Sequence, residues 1–429
     1  MGGVLTRGAF FKPSFTTMDS NSNFRFNLPE LGGALGDIGT LLPLMVALIM
    51  INGLNATSVL LGAGLFYIFS GLYYRLPMPV QPLKAMSAIA ISLGVSASAL
   101  GAAGLLMGVI LLFLSFSRLI TFVVKLFPRP VVRGIQLSVG FILLRKGVEL
   151  AFSHEIFIGG ASYFTGMNQF PLGIILAIVA IVIFFLFRQT QRFPSSLALL
   201  TFGLGAGVVF VTVPAFDKFS PALPAIALPS SAEFSFALMA LVIPQLPLTL
   251  GNAVVGTWDT AKTYFNEKSY RVTPRALTAS MGIANIAAGL FGAMPMCHGS
   301  GGLTAHYKLG ARTGGASIMI GTLLILMGVL FGSAAPGFLS LLPLSVLGTL
   351  LAVVGIYHAL LVRDLKGVNQ LAIAGTVAAT TLLLGNLTFG FGAGILLYGF
   401  LKVVGKLSKG KSLRRFNRAP AKETITSVS

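Results

Sequence analysis

Three groups of residues in this 429-residue chain could do chemistry, and all three lie in apolar surroundings. The first is the stretch Met294-Pro-Met-Cys-His-Gly-Ser-Gly-Gly-Leu-Thr-Ala-His-Tyr-Lys-Leu-Gly310, which holds the only cysteine and two of the four histidines. Pro295 breaks a helix, and Gly299, Gly301 and Gly302 loosen it. Such a polar interruption at membrane depth is tolerated only where it is buried in protein or lines a cavity. His298 could bond an oxyanion or titrate near neutral pH, or it could simply be satisfied by backbone. Ser300 could cap a helix starting there or touch a ligand. Cys297 reads as a small packing residue, because nothing beside it in sequence would activate a thiol. The second group is Met78-Pro-Val-Gln-Pro-Leu-Lys84, where Gln81 and Pro82 precede a lysine deep in apolar sequence. A lysine at the centre of a membrane helix costs about 2.5–3.5 kcal/mol on insertion scales and usually has a function. Its structural alternatives are a pair with Asp37 or Glu30, or snorkelling to an interface. The third is Glu30 with Asp37, spaced to share one helix face.

These residues need elements to hold them, and composition says what kind. The chain is 55% hydrophobic and 10% charged, whereas soluble domains carry about 25% charged residues. It reads as an all-α polytopic membrane protein. One cysteine excludes a disulfide framework and a multi-cysteine metal site. No metal-ligand cluster, phosphate loop or catalytic triad is legible, so neither an enzyme nor a cofactor is expected. The net charge of +19 would suit nucleic acid, but it is spread over short loops and one tail, so no nucleic-acid partner is expected. Stretch 1–23 lacks the apolar core of a secretory signal; it reads as a polar tail, with a transit peptide as the alternative.

Fourteen apolar segments are predicted, near 28–51, 56–75, 78–97, 100–124, 130–150, 171–188, 194–214, 233–260, 274–292, 294–310, 315–333, 338–362, 367–384 and 388–406. A linker, 215–232, separates the halves 28–214 and 233–406, with tails 1–27 and 407–429. With the N-terminus inside, 26 Lys and Arg fall on the cytoplasmic side and three (Arg145, Lys146 and Lys218) on the other. The positive-inside rule then puts both termini in the cytoplasm. Arg145, Lys146 and Glu149 read as a surface ion-pair cluster rather than an entry funnel.

The halves repeat. Pro29-Glu-Leu-Gly-Gly-Ala-Leu-Gly-Asp37 aligns with Pro244-Gln-Leu-Pro-Leu-Thr-Leu-Gly-Asn252 at an offset of 215, and Met78–Gly94 aligns with Met294–Gly310 at 216. Seven segments per copy is an odd number, so the second copy must be inverted in the membrane. Inverted repeats with broken helices meeting near the midplane are a transporter signature.

At these motifs, together with Gln245-Leu-Pro-Leu-Thr249 and Gly310-Ala-Arg-Thr-Gly314, the chain resembles the molybdate transporters, a branch related to the sulfate permeases. Leu83 stands where the family pattern suggests Met. The resemblance spans about 28–405 and implies a seven-plus-seven inverted-repeat fold. It implies a core domain of segments 1–4 and 8–11 and a gate domain of segments 5–7 and 12–14. It also implies that segments 3 and 10 are each a short extended piece followed by a half helix.

Given that geometry, the half helices start near Gln81-Pro82 and His298-Gly299-Ser300, with Pro82 suited to a first helical position. Their amino ends would face each other and, with Lys84, nearly neutralise a tetrahedral dianion. The expected substrate site is Gln81, Pro82, Lys84, Gln245, Asn252, Cys297, His298, Gly299, Ser300 and Gly301, with Glu30 and Asp37 for coupling to protons. Glu30 could equally be a first-turn carboxylate favoured by the helix dipole. The expected function is secondary active transport of a tetrahedral oxyanion, foremost molybdate, by alternating access at the plasma membrane, in the lipid bilayer and as a homodimer. The alternatives are a sulfate or other anion carrier, a nucleobase permease of the same fold, or an anion channel.

Overall fold

The computed structural model describes residues 24–117, 119–120, 128–153, 155–157, 170–188, 195–211, 220–222 and 229–416. Helix α1 (Leu28–Ala34) passes through a 3-10 turn (Leu35–Asp37) into α2 (Ile38–Asn52), and α3 (Ala56–Tyr74) follows. A two-residue strand, β1 (Gln81–Pro82), leads into the short α4 (Lys84–Leu93), then α5 (Ala97–Phe116), α6 (Arg129–Ala151), α7 (Phe170–Phe187) and α8 (Ser195–Phe210). The second half opens with the 39-residue α9 (Ser231–Ser269). It continues with α10 (Pro274–Phe291), β2 (Met296–Cys297), α11 (Ser300–Lys308) and α12 (Gly314–Phe331). Helices α13 (Ala335–Ser340), α14 (Leu344–Leu360), α15 (Val368–Leu384) and α16 (Leu387–Phe416) complete it. Among the described residues six helices are long and apolar enough to cross a membrane, or seven if the bent α1–α2 pair is one span. Side chains such as Leu383, Leu396 and Phe400 are exposed on faces that only lipid would cover. The chain is an integral, multi-pass membrane protein.

Several elements differ from the sequence expectation. Segment 1 is not one straight helix: α1 and α2 meet at a 50° bend. The glycines of Leu31-Gly-Gly-Ala-Leu-Gly36 disfavour helix, and Pro43 inside α2 removes a hydrogen bond to the preceding turn. The corresponding α9 stays continuous but widens into π-helix at Ala237–Val242 and Thr249–Gly256. Pro244 and Pro247 lie between these stretches, and the amides they withdraw loosen the regular ladder. Helix α9 begins inside the expected linker, because Ser230 and Glu233 form a capping box. The last helix runs on past 406 to Phe416, through Lys, Leu and Arg that favour helix. Tail residues 1–23 and 417–429 and most of the linker lie outside the described residues.

The helices pack in two groups. Helices α1–α5 associate with α9–α12, and α6–α8 with α14–α16; α2 and α4 make most of the contact between the groups. Small residues let the backbones close up within each group. A Cβ added at Gly64 of α3 would lie 2.6 Å from the Gly321 carbonyl of α12, and one at Gly147 of α6 would lie 2.5 Å from the Gly348 carbonyl of α14. Without a hydrophobic force between helices in lipid, such close van der Waals packing holds the bundle.

The two strands form an antiparallel bridge with Gln81 opposite Cys297 and Pro82 opposite Met296. Gln81 and Cys297 are equivalent positions of the internal repeat, so the bridge is centred on matching residues. Leu83 adds an N–H bond to the Pro295 carbonyl at 3.0 Å. Asn285 of α10 stands in for a neighbouring strand: its Nδ2 donates to the Met296 carbonyl at 2.7 Å and its Oδ1 accepts the Met296 N–H at 2.9 Å. At the far end of α4, Asn52 Nδ2 donates to the Ala90 and Val95 carbonyls, each at 2.8 Å. Both asparagines are nearly fully buried. Asn285 satisfies the Met296 N–H and carbonyl, which unpaired and buried would cost several kcal/mol; Asn52 ties the end of α4 to α2, adding to an Ala90 carbonyl that also accepts the Gly94 and Val95 N–H groups.

Candidate anion site

The bridge brings the amino ends of α4 and α11 together. Lys84 is the first residue of α4, and Gly299 is the N-cap of α11. A Cβ on Gly299 would sit 3.2 Å from Lys84 Nζ and would collide with Gln81 Oε1. A side chain at Gly299 would have to displace Gln81. Pro82 is placed differently from the expectation: it lies in β1, and α4 starts two residues later at Lys84, after Leu83. Proline has no amide to give to a ladder, and the edge of a two-residue bridge asks for none.

Around these ends runs a buried polar chain. Gln81 Nε2 donates to Asp37 Oδ1, and Lys84 Nζ donates to Gln81 Oε1 at 2.6 Å. Lys84 and Asp37 therefore communicate through an amide rather than as a direct ion pair. Asp37 Oδ2 is buried without a hydrogen-bond partner among the described residues. A Cβ on Gly302 would lie 2.7 Å from that oxygen, from Gln81 Nε2 and from Pro79 Cβ. Gly301 differs from its neighbours: it is exposed, and a Cβ there would meet nothing within 4 Å. Open space thus begins at the first turn of α11.

The second copy is arranged in a parallel way. Ser300 Oγ donates to Asn252 Oδ1 at 2.7 Å, so Asn252, the repeat partner of Asp37, is also bonded to the broken segment of its own half. Gln245 accepts the Met86 N–H of α4 at 3.0 Å and donates to Thr249 Oγ1 at 2.9 Å. It caps the third helical residue of α4 and so is spoken for. The amides of Lys84 and Ala85 remain first-turn donors with no intrahelical acceptor. Each helix end also carries about half a positive charge.

Other candidates sit behind this surface. Cys297 is buried in β2, its Sγ 3.8 Å from the Pro82 carbonyl. His298 turns away from the helix ends: Nδ1 donates to the Pro79 carbonyl at 2.9 Å, and Nε2 lies 3.1 Å from Ser280 Oγ. Its ring stacks on Phe66 and meets the edge of Tyr74. With Nδ1 protonated, Nε2 accepts the Ser280 hydroxyl. Glu30 is held 3.1 Å from the Arg312 amide by both carboxylate oxygens, and Oε2 also accepts from Thr313 N–H at 3.3 Å. These bonds tie α1 to the turn between α11 and α12. Near the end of α6, Lys146 pairs with Glu149 at 2.8 Å.

Sequence reading missed Asn285 and Asn52, which hold the broken elements in shape. Asn285 had a signal, a lone amide inside an otherwise apolar run, which must find a partner when buried; Asn52, beside Gly53 and Asn55 at the end of a segment, had none that set it apart from a turn residue.

A family model described as "Molybdate transporter of MFS superfamily" matches residues 29–143 and 237–357. The chain is 32% identical over 428 residues to molybdate transporter 1 of Arabidopsis thaliana, covering 90% of this chain and 91% of that protein. It is 30% identical over 413 residues to molybdate transporter 2 of the same plant, covering 87% of each. Among solved structures, the transmembrane domain of the cyanobacterial bicarbonate transporter BicA matches with a TM-score of 0.63 at 18% identity, covering 85% of this chain and 96% of that one. The structure of SLC26A9 matches with a TM-score of 0.64 at 17% identity, covering 88% and 65%. The fold is therefore of the SLC26 and BicA type. With the family model lying on both halves, and a curated relative at 32% identity along nine-tenths of its length, the chain belongs to the molybdate transporter family.

Proposed function

We propose that this protein is a secondary active transporter of a tetrahedral oxyanion, with molybdate as its substrate, working by alternating access. The observation that carries this reading is the meeting of the α4 and α11 amino ends at the β1–β2 bridge, with Lys84 Nζ beside the Gly299 backbone. The ion would take the open space at Gly301 and be bound by first-turn amides of both helices, by Lys84 and by Ser300. Gln81, Gln245, Asn252 and Asn285 would position these donors. His298, Cys297 and Pro82 would shape the bridge from behind.

Charge bookkeeping favours a doubly charged anion accompanied by a proton. Two helix ends contribute about +1 together, Lys84 adds one positive charge, and ionised Asp37 cancels it. A dianion then leaves the site about one charge short, and a proton on Asp37 closes the gap. Glu30 would serve the turn before α12 rather than the proton. The fourteen segments would form two inverted repeats, 28–214 and 233–406. The group α1–α5 with α9–α12 would move as a core against the gate of α6–α8 with α14–α16. Both termini would be cytoplasmic, a reading supported by the basic loops, in a plasma-membrane homodimer. Relatives named molybdate transporters support the substrate. A sulfate carrier is the second reading, supported by 24% identity over 286 residues to a probable sulfate transporter of Mycobacterium tuberculosis.

The test is a titration of purified protein with molybdate, tungstate and sulfate. Saturable binding of molybdate and tungstate, with sulfate much weaker, is expected. Sulfate binding as tightly as molybdate would remove the substrate assignment, and no binding of any of the three would remove the oxyanion reading.

A further inference from the structure

A cavity of about 220 Å³ lies between the two helix groups, on the side of α1 and α2 that faces the gate; Gly36, Thr40, Ser195, Ser196, Tyr357 and His358 are among its lining residues. Gly36 and Thr40 flank Asp37 in sequence, so the cavity adjoins the anion site. Its opposite wall is the first turn of α8 and the last turns of α14. Both lie toward the basic loops: α7 ends beside Arg188, and α14 runs into Leu361–Asp364, which includes Arg363.

The wall is chemically one-sided. Ser196 is 5% exposed, and its Oγ has no hydrogen-bond partner among the described residues. A buried hydroxyl left unpaired is unfavourable, and the deficit is removed when an acceptor occupies the cavity. Ser195 begins the 16-residue α8, whose first-turn amides have no intrahelical acceptor and carry a partial positive charge. His358 Nδ1 donates to the Val354 carbonyl at 3.0 Å. Nε2 has no partner among the described residues and is left to accept from water around an ion. No carboxylate is among the described residues that line the cavity. One water needs only about 10–15 Å³ of such space, so a tetrahedral oxyanion fits with part of its hydration shell.

We propose that this cavity is a second oxyanion station, which receives the ion from Lys84 on the basic-loop side before release. The gate thus supplies its own donors, Ser195 and Ser196, and the core supplies Thr40. This inference rests on the oxyanion transport reading.

The test uses full-length protein in oriented proteoliposomes, with half-saturation measured for molybdate presented to each face. For Ser196→Ala, half-saturation at the basic-loop face rises about tenfold, as expected for losing one hydrogen bond to an ion. At the opposite face it stays within about twofold of the unmodified protein, and Ser196→Thr, which keeps the hydroxyl, restores the normal value. The isosteric Thr40→Val gives the same asymmetry and serves if Ser196→Ala fails to fold. Equal half-saturation at both faces in Ser196→Ala and Thr40→Val, with Lys84-dependent binding intact, overturns the station alone. Absence of molybdate binding in the unmodified protein instead overturns the transport reading on which it rests.

Discussion

Gly301 offers a sharp test, because the same methyl group should act in opposite directions on stability and on binding. Gly301 is the second residue of α11, and a Cβ there meets no protein atom within 4 Å. In Gly301→Ala the chain loses less conformational freedom on folding, which stabilises a helix by about 0.5–1 kcal/mol. The new methyl projects into the space assigned to the anion. Overfilling a fitted site costs about 1–3 kcal/mol, which corresponds to roughly 5- to 150-fold weaker binding. The assay pairs thermal unfolding in detergent with scintillation-proximity binding of radiolabelled molybdate. Gly302→Ala is the contrasting control. There a Cβ would lie 2.7 Å from Asp37 Oδ2 and Gln81 Nε2, so stability and binding should fall together. If Gly301→Ala is as stable as the unmodified protein or more so, and binds molybdate within about twofold of it, the anion does not sit at the α11 amino end and the two-helix site is wrong.

Three further outcomes are expected. Lys84→Ala should weaken molybdate binding at least about tenfold, since a hydrogen bond to a charged group is worth about 1.5–3 kcal/mol; unchanged affinity in a binding titration would remove Lys84 from the site. Asn285→Ala leaves the Met296 N–H and carbonyl without their partner, at about 1–3 kcal/mol for each buried group. It should therefore lower the unfolding temperature measurably before any effect on substrate selectivity, and an unaltered melting curve would contradict the clamp. Asp37→Asn should carry molybdate in exchange yet no longer respond to an imposed proton gradient; gradient-driven uptake at the normal rate in vesicles would place the coupling elsewhere.

Much of the fold was legible in the chain because lipid imposes simple demands. Apolar runs of spanning length and a repeated motif at an offset of 215–216 can be read without contacts. The breaks at Pro79 to Pro82 and Pro295 to Gly299 were visible as well, since proline and glycine interrupt helix wherever they occur. Details that depend on partners were not visible. The bend at Leu35–Asp37 and the π-helical widening of α9 come from equivalent segments, and their motifs do not say which will bend and which will widen.

The sequence by itself determined that this is a membrane protein built from two related halves. It also placed a lysine, two carboxylates, a proline-marked break at Pro79–Pro82 and a glycine-rich break at Pro295–Gly302 in apolar surroundings, because composition, period and charge asymmetry are properties of the chain alone. Only the tertiary structure decided which of those groups meet. His298 and Gln245 looked like ligands in sequence, yet they spend their hydrogen bonds on Pro79, Ser280, Met86 and Thr249. Asn285, absent from the expected site, holds the bridge that brings Lys84 beside Gly299. The physical reason is that a buried polar group takes whatever partner the packing puts within reach. Those partners here come from residues as far apart in the chain as Pro79 and His298.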